Sequence, residues 1–305
     1  MSRHVTEALV NGLSVDVEDY FQVSAFERVV ERDSWGTFES RVVANTNRLL
    51  DLFQEKGVRA TFFVLGWVAE REPSIVRRIA LEGHEIASHG HWHKLVYQQS
   101  PSEFRQEVRR SKELLESLAL SPVLGFRAPS FSITKASLWA LDVLAEEGFV
   151  YDASIFPIRH DRYGIPGAPR HAHLVDGQYG PLCGDGSGAA ALLEVPASTV
   201  RVAGLTLPVS GGGYFRLLPY GWTRWGIRRV NRLERRPVVF YVHPWEIDPG
   251  QPRLHGPRLS RVRHYRNLEK TEVRLRRLLS EFRFGTIAST IALPLADAPV
   301  TGPRS

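Results

Sequence analysis

Short, almost wholly apolar runs recur along this chain and close on polar residues, near Asp16, Gly66, Ser88, Arg127 and Asp152, with amphipathic stretches between them. Runs of this kind read as strands buried on both faces, which means parallel strands, and parallel neighbours need long crossover connections. The pattern therefore dictates an α/β fold with right-handed crossovers, whose functional groups gather at the carboxyl ends of the strands. The helix starting near Ser40 turns Val43, Leu49, Leu50 and Phe53 to the core and stops at Gly57. Ser100-Pro101-Ser102-Glu103 is a capping box with proline at the first helical position, and a third helix is expected over residues 134–148.

After Phe156 the rhythm breaks into a Pro- and Gly-rich excursion to about Gly188, expected to cross the rim of the site, with a low-complexity piece from Gly184 to Ala191. Strands resume over 192–195 and 237–243, and a basic helix covers 267–282. A single catalytic domain over 1–293, with an extension from residue 200 and a flexible tail over 294–305, is the expected organisation.

Composition narrows the class. With 305 residues, 43% hydrophobic and 24% charged, the chain can bury a large core. Its longest mostly apolar run, Ala60 to Ala69, is too short to span a membrane. Cys183 is the only cysteine, so no internal disulfide forms. Met1-Ser2-Arg3-His4-Val5-Thr6-Glu7 lacks a signal peptide's apolar core, and the expected location is the cytoplasm, at the inner membrane face if the substrate is lipid-linked. The net charge of +6 comes from arginine clusters at 224–236 and 253–277. They could hold anionic sugars, phosphates or lipid headgroups, but solvated helix faces in an arginine-rich chain are the stronger reading. No nucleic-acid motif accompanies them.

Ser88-His89-Gly90-His91-Trp92-His93 follows a predicted strand and sets His89 and His93 four residues apart; on a helical turn two such imidazoles converge on one cation. The first strand ends in Asp16-Val17-Glu18-Asp19-Tyr20, three carboxylates that repel one another unless a cation or an arginine compensates. Gly125-Phe126-Arg127-Ala128-Pro129, Tyr151-Asp152-Ala153-Ser154 and Tyr241-Val242-His243-Pro244 each follow or close an apolar run and would meet at the same rim.

In order and spacing these motifs resemble the polysaccharide deacetylase family, carbohydrate esterase family four, built on the NodB homology domain. The resemblance runs over residues 9–245 and implies a deformed (β/α) barrel. It places Asp16 as catalytic base, His89 and His93 as metal ligands, and Arg127 of the Arg-x-Pro motif beside the base. Asp152 then steadies His243, the general acid. Two departures stand out: glycine occupies position 90, where a small hydroxyl residue is usual, and Val17 replaces the family's second aspartate. The third metal ligand is accordingly Glu18 or Asp19. Val15-Asp16-Val17-Glu18-Asp19-Tyr20-Phe21 and Gly211-Gly212-Gly213-Tyr214-Phe215-Arg216 look more specifically like the deacetylases of exosortase-associated exopolysaccharide loci.

The activity implied is metal-dependent removal of N-acetyl groups from amino sugars of an exopolysaccharide or its lipid-linked precursor. The metal would be zinc, with cobalt, nickel or iron as alternatives. Trp245 and Pro129 are the candidate substrate contacts, and Trp67, Trp92, Tyr214 and Phe215 are further aromatics that could stack on sugars. Competing readings are an allantoinase-like cyclic amide hydrolase, a non-catalytic glycan-binding relative, and, from the two-histidine, one-carboxylate set alone, an iron oxygenase.

Overall fold

The computed structural model describes residues 9–175 and 192–292. Its strands are β1 (Val10–Val17), β2 (Thr61–Val64), β3 (Glu85–Ser88), β4 (Gly125–Phe126), β5 (Tyr151–Asp152), β6 (His173–Leu174), β7 (Leu193–Glu194), β8 (Thr199–Val202), β9 (Leu205–Pro208), β10 (Val239–Val242) and β11 (Arg283–Gly285). Nine form one sheet in the order β10-β1-β2-β3-β4-β5-β7-β6, with β11 also paired to β1. Every pairing in it is parallel except β6 on β7, and β8 and β9 form a separate antiparallel hairpin. The sheet curls without β6 and β10 pairing, which makes it the deformed (β/α) barrel that the family resemblance implies.

Both faces of the sheet are covered, as continuous apolar strands require. Phe62, Val64 and Ile86 face the helix layer with Leu49 and Phe53, whereas Phe63, Ala87, Tyr151, Ala153, Val195 and Val239 pack inside the curl. Alternation along β1 sends Val15 and Val17 to the helices and leaves Ser14 and Asp16 on the inner side, where one guanidinium reaches both.

Helix α1 (Val42–Lys56) buries Leu49, Leu50 and Phe53 as its periodicity demands, while Val43 is only half-buried. It ends at Gly57, whose φ of 62° lets its N–H close back on the carbonyls of Phe53 and Gln54. Helices α2 (Gly66–Arg71) and α3 (Pro73–Leu81) follow β2, and α4 (Pro101–Ala119) opens with the reciprocal Ser100–Glu103 capping box. The helix expected over 134–148 is instead a 3-10 turn at Lys135–Ser137 followed by α5 (Trp139–Glu146). Ser137 is the reason: its hydroxyl bonds the backbone of Ser132 and Thr134 and competes with a regular first turn.

The excursion after Phe156 has no helix or strand through 172 and rejoins the sheet at β6. Residues 184–191 and the tail from 294 lie outside the described residues. The C-terminal part adds α6 (Gly212–Leu217), α7 (Tyr220–Arg229), α8 (Arg258–Tyr265) and α9 (Leu268–Glu281). No helix among the described residues is long and apolar enough to cross a membrane.

Candidate active site

Asp16, Glu18, His89, His93, Arg127 and His243 all stand at the carboxyl ends of β1, β3, β4 and β10 and converge at one end of the curled sheet. The Arg127 guanidinium is 1% exposed and donates to Asp16 Oδ1 at 2.6 Å and Ser14 Oγ at 2.8 Å from one nitrogen, and to the Ala153 carbonyl from Nε. The Phe63 ring lies 4.1 Å beneath it. Buried charge is tolerable only when paired and hydrogen-bonded, and each of these two groups supplies the other's partner.

The imidazoles converge, but not on a helical turn. Residues 89–93 form an open loop in which Gly90 has φ of 73° and His93 φ of 50°, and these two left-handed residues turn the rings toward each other, centroids 5.4 Å apart. A Cβ at Gly90 would sit 3.3 Å from Glu107 Oε1 on backbone that disfavours it, which accounts for the glycine there. The loop is held from three sides. Glu107 of α4 accepts from the N–H groups of His91 and Trp92, Arg32 donates to the carbonyls of Trp92 and His93, and Ser111 donates to the carbonyl of Gly90.

His89 Nδ1–H donates to the Arg127 carbonyl at 2.8 Å, which leaves Nε2 with its lone pair directed at the cluster. Burial lowers the His89 pKa to about 4, so the ring is neutral, as a ligand must be. Glu18 Oε2 lies 2.6 Å from His93 Nε2, while Oε1 accepts from the Trp245 indole at 3.1 Å. Burial would raise the Glu18 carboxyl, yet His93, His243 and His89 together hold it down at about 2. One ligand atom each from Glu18, His89 and His93 lie within 4.8 Å of one another, all buried. Two imidazole nitrogens and a carboxylate at this spacing fit a divalent transition metal with coordination positions left open.

Asp19, the alternative third ligand, is committed elsewhere. Its Oδ2 accepts from Ser40 Oγ and from the N–H groups of Arg41 and Val42, capping α1 from outside the helix, and its Oδ1 accepts from the Tyr20 N–H. These bonds turn it away from the histidines, so the carboxylate in reach is that of Glu18.

Asp152 does not steady His243. It accepts from Ser154 Oγ at 2.5 Å and faces Glu194 of β7, and the two buried carboxyls share one environment: burial raises Asp152 to about 6, and burial plus Asp152 push Glu194 well up. The partner of His243 is Glu246, a residue outside every motif of the family resemblance. Its Oε2 lies 3.2 Å from His243 Nδ1 and accepts from the His243 backbone N–H at 3.0 Å, and its Oε1 accepts from Arg216 Nε at 2.6 Å. Burial would lower the His243 pKa, but Glu246, Glu18 and Asp16 raise it to about 9. Nε2 faces inward, 3.8 Å from Asp16 and 3.7 Å from Glu18. With 17% of its side chain exposed against 3% for Asp16 and Glu18, His243 lies where solvent reaches the cluster. The sequence does carry a signal for Glu246, since His243-Pro244-x-Glu246 is itself a capping box with proline at the first position.

The two candidate sugar contacts are also corrected. Trp245 is 3% exposed, its ring stacked between His243 at 5.1 Å and His264 at 4.1 Å, so it braces Glu18 instead of presenting a face to solvent. Pro129 is buried beneath Gly90. Trp67 and Phe215 are buried too, whereas Trp92 and Tyr214 are half-buried.

Residues 28–148 match the polysaccharide deacetylase family, and residues 153–292 match a domain of unknown function, DUF3473. The chain is 37% identical over 98 residues to a peptidoglycan-N-acetylglucosamine deacetylase of Bacillus cereus, covering 32% of this chain and 36% of that protein. It is 33% identical over 100 residues to a chitooligosaccharide deacetylase of a Bradyrhizobium species, covering 33% and 43%. The chain thus matches less than half the length of these curated relatives. Among solved structures, a Mycobacterium smegmatis protein classed with the polysaccharide deacetylases aligns with TM-score 0.61 at 20% identity over 100% of this chain and 98% of that one. Puue allantoinase aligns with TM-score 0.57 at 13% identity, over 91% and 85%. At these identities both speak for the fold alone.

Proposed function

We propose, from the premise that this chain belongs to the polysaccharide deacetylase family, that it is a metal-dependent hydrolase removing N-acetyl groups from amino sugars of an exopolysaccharide or its lipid-linked precursor. One observation carries the reading: a carboxylate clamped by a buried arginine, Asp16 on Arg127, faces an imidazole, His243, beside the Glu18, His89 and His93 cluster. Amide hydrolysis needs that set, a proton acceptor for water and a proton donor for an amine that cannot leave as an anion.

Glu18, His89 and His93 would hold the metal, for which zinc, cobalt, nickel or iron are chemically suited. When bound, a divalent cation there supplies Lewis acidity and eases the ionisation of water at neutral pH. Asp16 takes the proton of the attacking water through Oδ2, since Oδ1 is engaged by Arg127, which fixes the direction of the free oxygen. His243 delivers the Nε2 proton to the leaving amine, with Nδ1 held by Glu246 and Glu246 in turn by Arg216. Trp245 and the Arg127 carbonyl position Glu18 and His89, and a deacetylated amine and acetate are the products.

The test is acetate release from N-acetylglucosamine oligomers by metal-stripped protein, with and without added zinc or cobalt. Metal-dependent acetate is the expected result; silence on every glycan together with turnover of a cyclic ureide would move the chain to a small-molecule amidase.

A further inference from the structure

Arg48, Arg78, Arg109, Arg110, Arg276 and Arg277 each hold a carboxylate, whereas other surface arginines of the described chain stand without one. Around α8 four of the latter kind gather. Among the described residues, none of Arg253, Arg258, Arg261 and Arg266 has an acidic partner, and these four, with Val262 and Tyr265, line one cleft of about 550 Å³. Positions 258, 261, 262, 265 and 266 fall on one face of the helix, and Arg253 reaches the cleft from the preceding loop, its guanidinium 4.3 Å over the Tyr265 ring.

The walls are fixed. The Tyr265 hydroxyl accepts from the Leu254 N–H at 2.7 Å and donates to the Pro252 carbonyl, tying loop to helix. Arg216 donates to the carbonyls of Arg263 and His264 at the helix's last turn. The opposite face of α8 carries His264, buried and stacked on Trp245 of the candidate active site. Four guanidiniums with no acid among them repel one another unless an anion enters. Beside them the same short helix leaves Leu259 60% and Val262 54% exposed.

We infer that α8 and the Arg253 loop form a docking surface for an anionic lipid bilayer, the arginines taking phosphate headgroups while Leu259 and Val262 enter the acyl boundary. Interleaved cations and aliphatics on a rigid helix suit that interface, where a soluble anion would use the charges and leave the aliphatics wet. The surface is independent of the deacetylase reading, and because α8 braces Trp245 it would hold the catalytic end of the sheet beside the membrane.

The test is cosedimentation of the full chain with vesicles of phosphatidylcholine alone and of phosphatidylcholine with phosphatidylglycerol. Binding to the anionic vesicles only, weakened by salt, is expected, and R258Q/R261Q should weaken it roughly 30-fold at about 1 kcal/mol per arginine. R109Q/R110Q removes the same charge from arginines paired with Glu147 and Glu70 and should bind like the parent. Unaltered circular dichroism and melting temperature would show that R258Q/R261Q folds. Equal binding to neutral vesicles, equal loss in both double variants, or full binding by R258Q/R261Q would each overturn the proposal. So would failure on vesicles with R258Q-sensitive binding of oligogalacturonate, which would assign the cleft to a soluble acidic glycan.

Discussion

Glu246→Gln should separate amide chemistry from everything else this protein does. In the structure one Glu246 oxygen accepts from the backbone N–H of His243 and lies 3.2 Å from its Nδ1, and the other accepts from Arg216 Nε. A glutamine has one carbonyl and one NH2, so whichever way it flips, an amide donor faces a buried donor. The charge-assisted bond to the imidazolium, worth about 1.5–3 kcal/mol, is then lost. Converted to rate, that loss is roughly 10- to 150-fold, inside the range of general acid catalysis. We expect kcat for acetate release from chitooligosaccharides to fall by about 100-fold with KM and bound metal little changed, because Glu246 lies outside the ligand cluster. With 4-nitrophenyl acetate the leaving phenolate needs no proton, so the variant should retain near-parental turnover. A structural defect would depress both substrates together.

The companion variant Asp152→Asn decides between the two acids that could serve His243. Its amide can donate to Glu194 while its carbonyl accepts from Ser154, so both stability and kcat should stay close to the parent. If Asp152→Asn lost amide turnover and Glu246→Gln kept it, Glu246 would not be the acid that serves His243.

Asp16→Asn should abolish acetate release while leaving metal content nearly intact, whereas His89→Ala should lose both; full activity in Asp16→Asn would remove it as the base. Asp19→Ala should bind metal like the parent but unfold with a loss of about 1–2 kcal/mol, the cost of a missing helix cap, measured by urea titration. Lost metal with unchanged stability would return Asp19 to the ligand set. His84 is held neutral by burial, with its pKa lowered to about 4, and its Nδ1 accepts from the Ala60 N–H. The unfolded chain therefore binds more protons between pH 6.5 and 4, so stability should be full above that window and decline by roughly 3 kcal/mol as pH falls through it. In His84→Leu the slope of melting temperature against pH should become shallower; an unchanged slope would exclude His84 as a source.

What the sequence made legible follows from which interactions are local. Apolar runs located β1 to β5, and the Ser100 capping box located α4, because each is decided by neighbours a few residues apart. The destination of a carboxylate is not local. Asp19 and Glu18 are adjacent and equally acidic in one dimension, and they part only because the α1 N-terminus, more than twenty residues later, offers Asp19 two unpaired N–H groups. The family resemblance assigns Asp152 to His243, but the side chain is drawn instead to Glu194, an acid set in the apolar strand β7. Trp245 has the sequence position of a pocket wall, two residues after His243, yet His264 from α8 closes over its other face.

The same non-local logic bears on the C-terminal half. Asp16 and Glu18 precede both family-matched stretches, His89, His93 and Arg127 lie in the first, and His243, Glu246 and Trp245 in the second. β1 is the junction, hydrogen-bonded on one edge to β2 from the deacetylase stretch and on the other to β10 from the second stretch. The register sets Ser14 and Val15 opposite Tyr241 and Val242, which is what brings His243 over Asp16. Residues 153–292 are therefore not an appendage to a finished catalytic domain. They supply the imidazole facing Asp16, the acid and arginine behind it, and the indole that fixes Glu18.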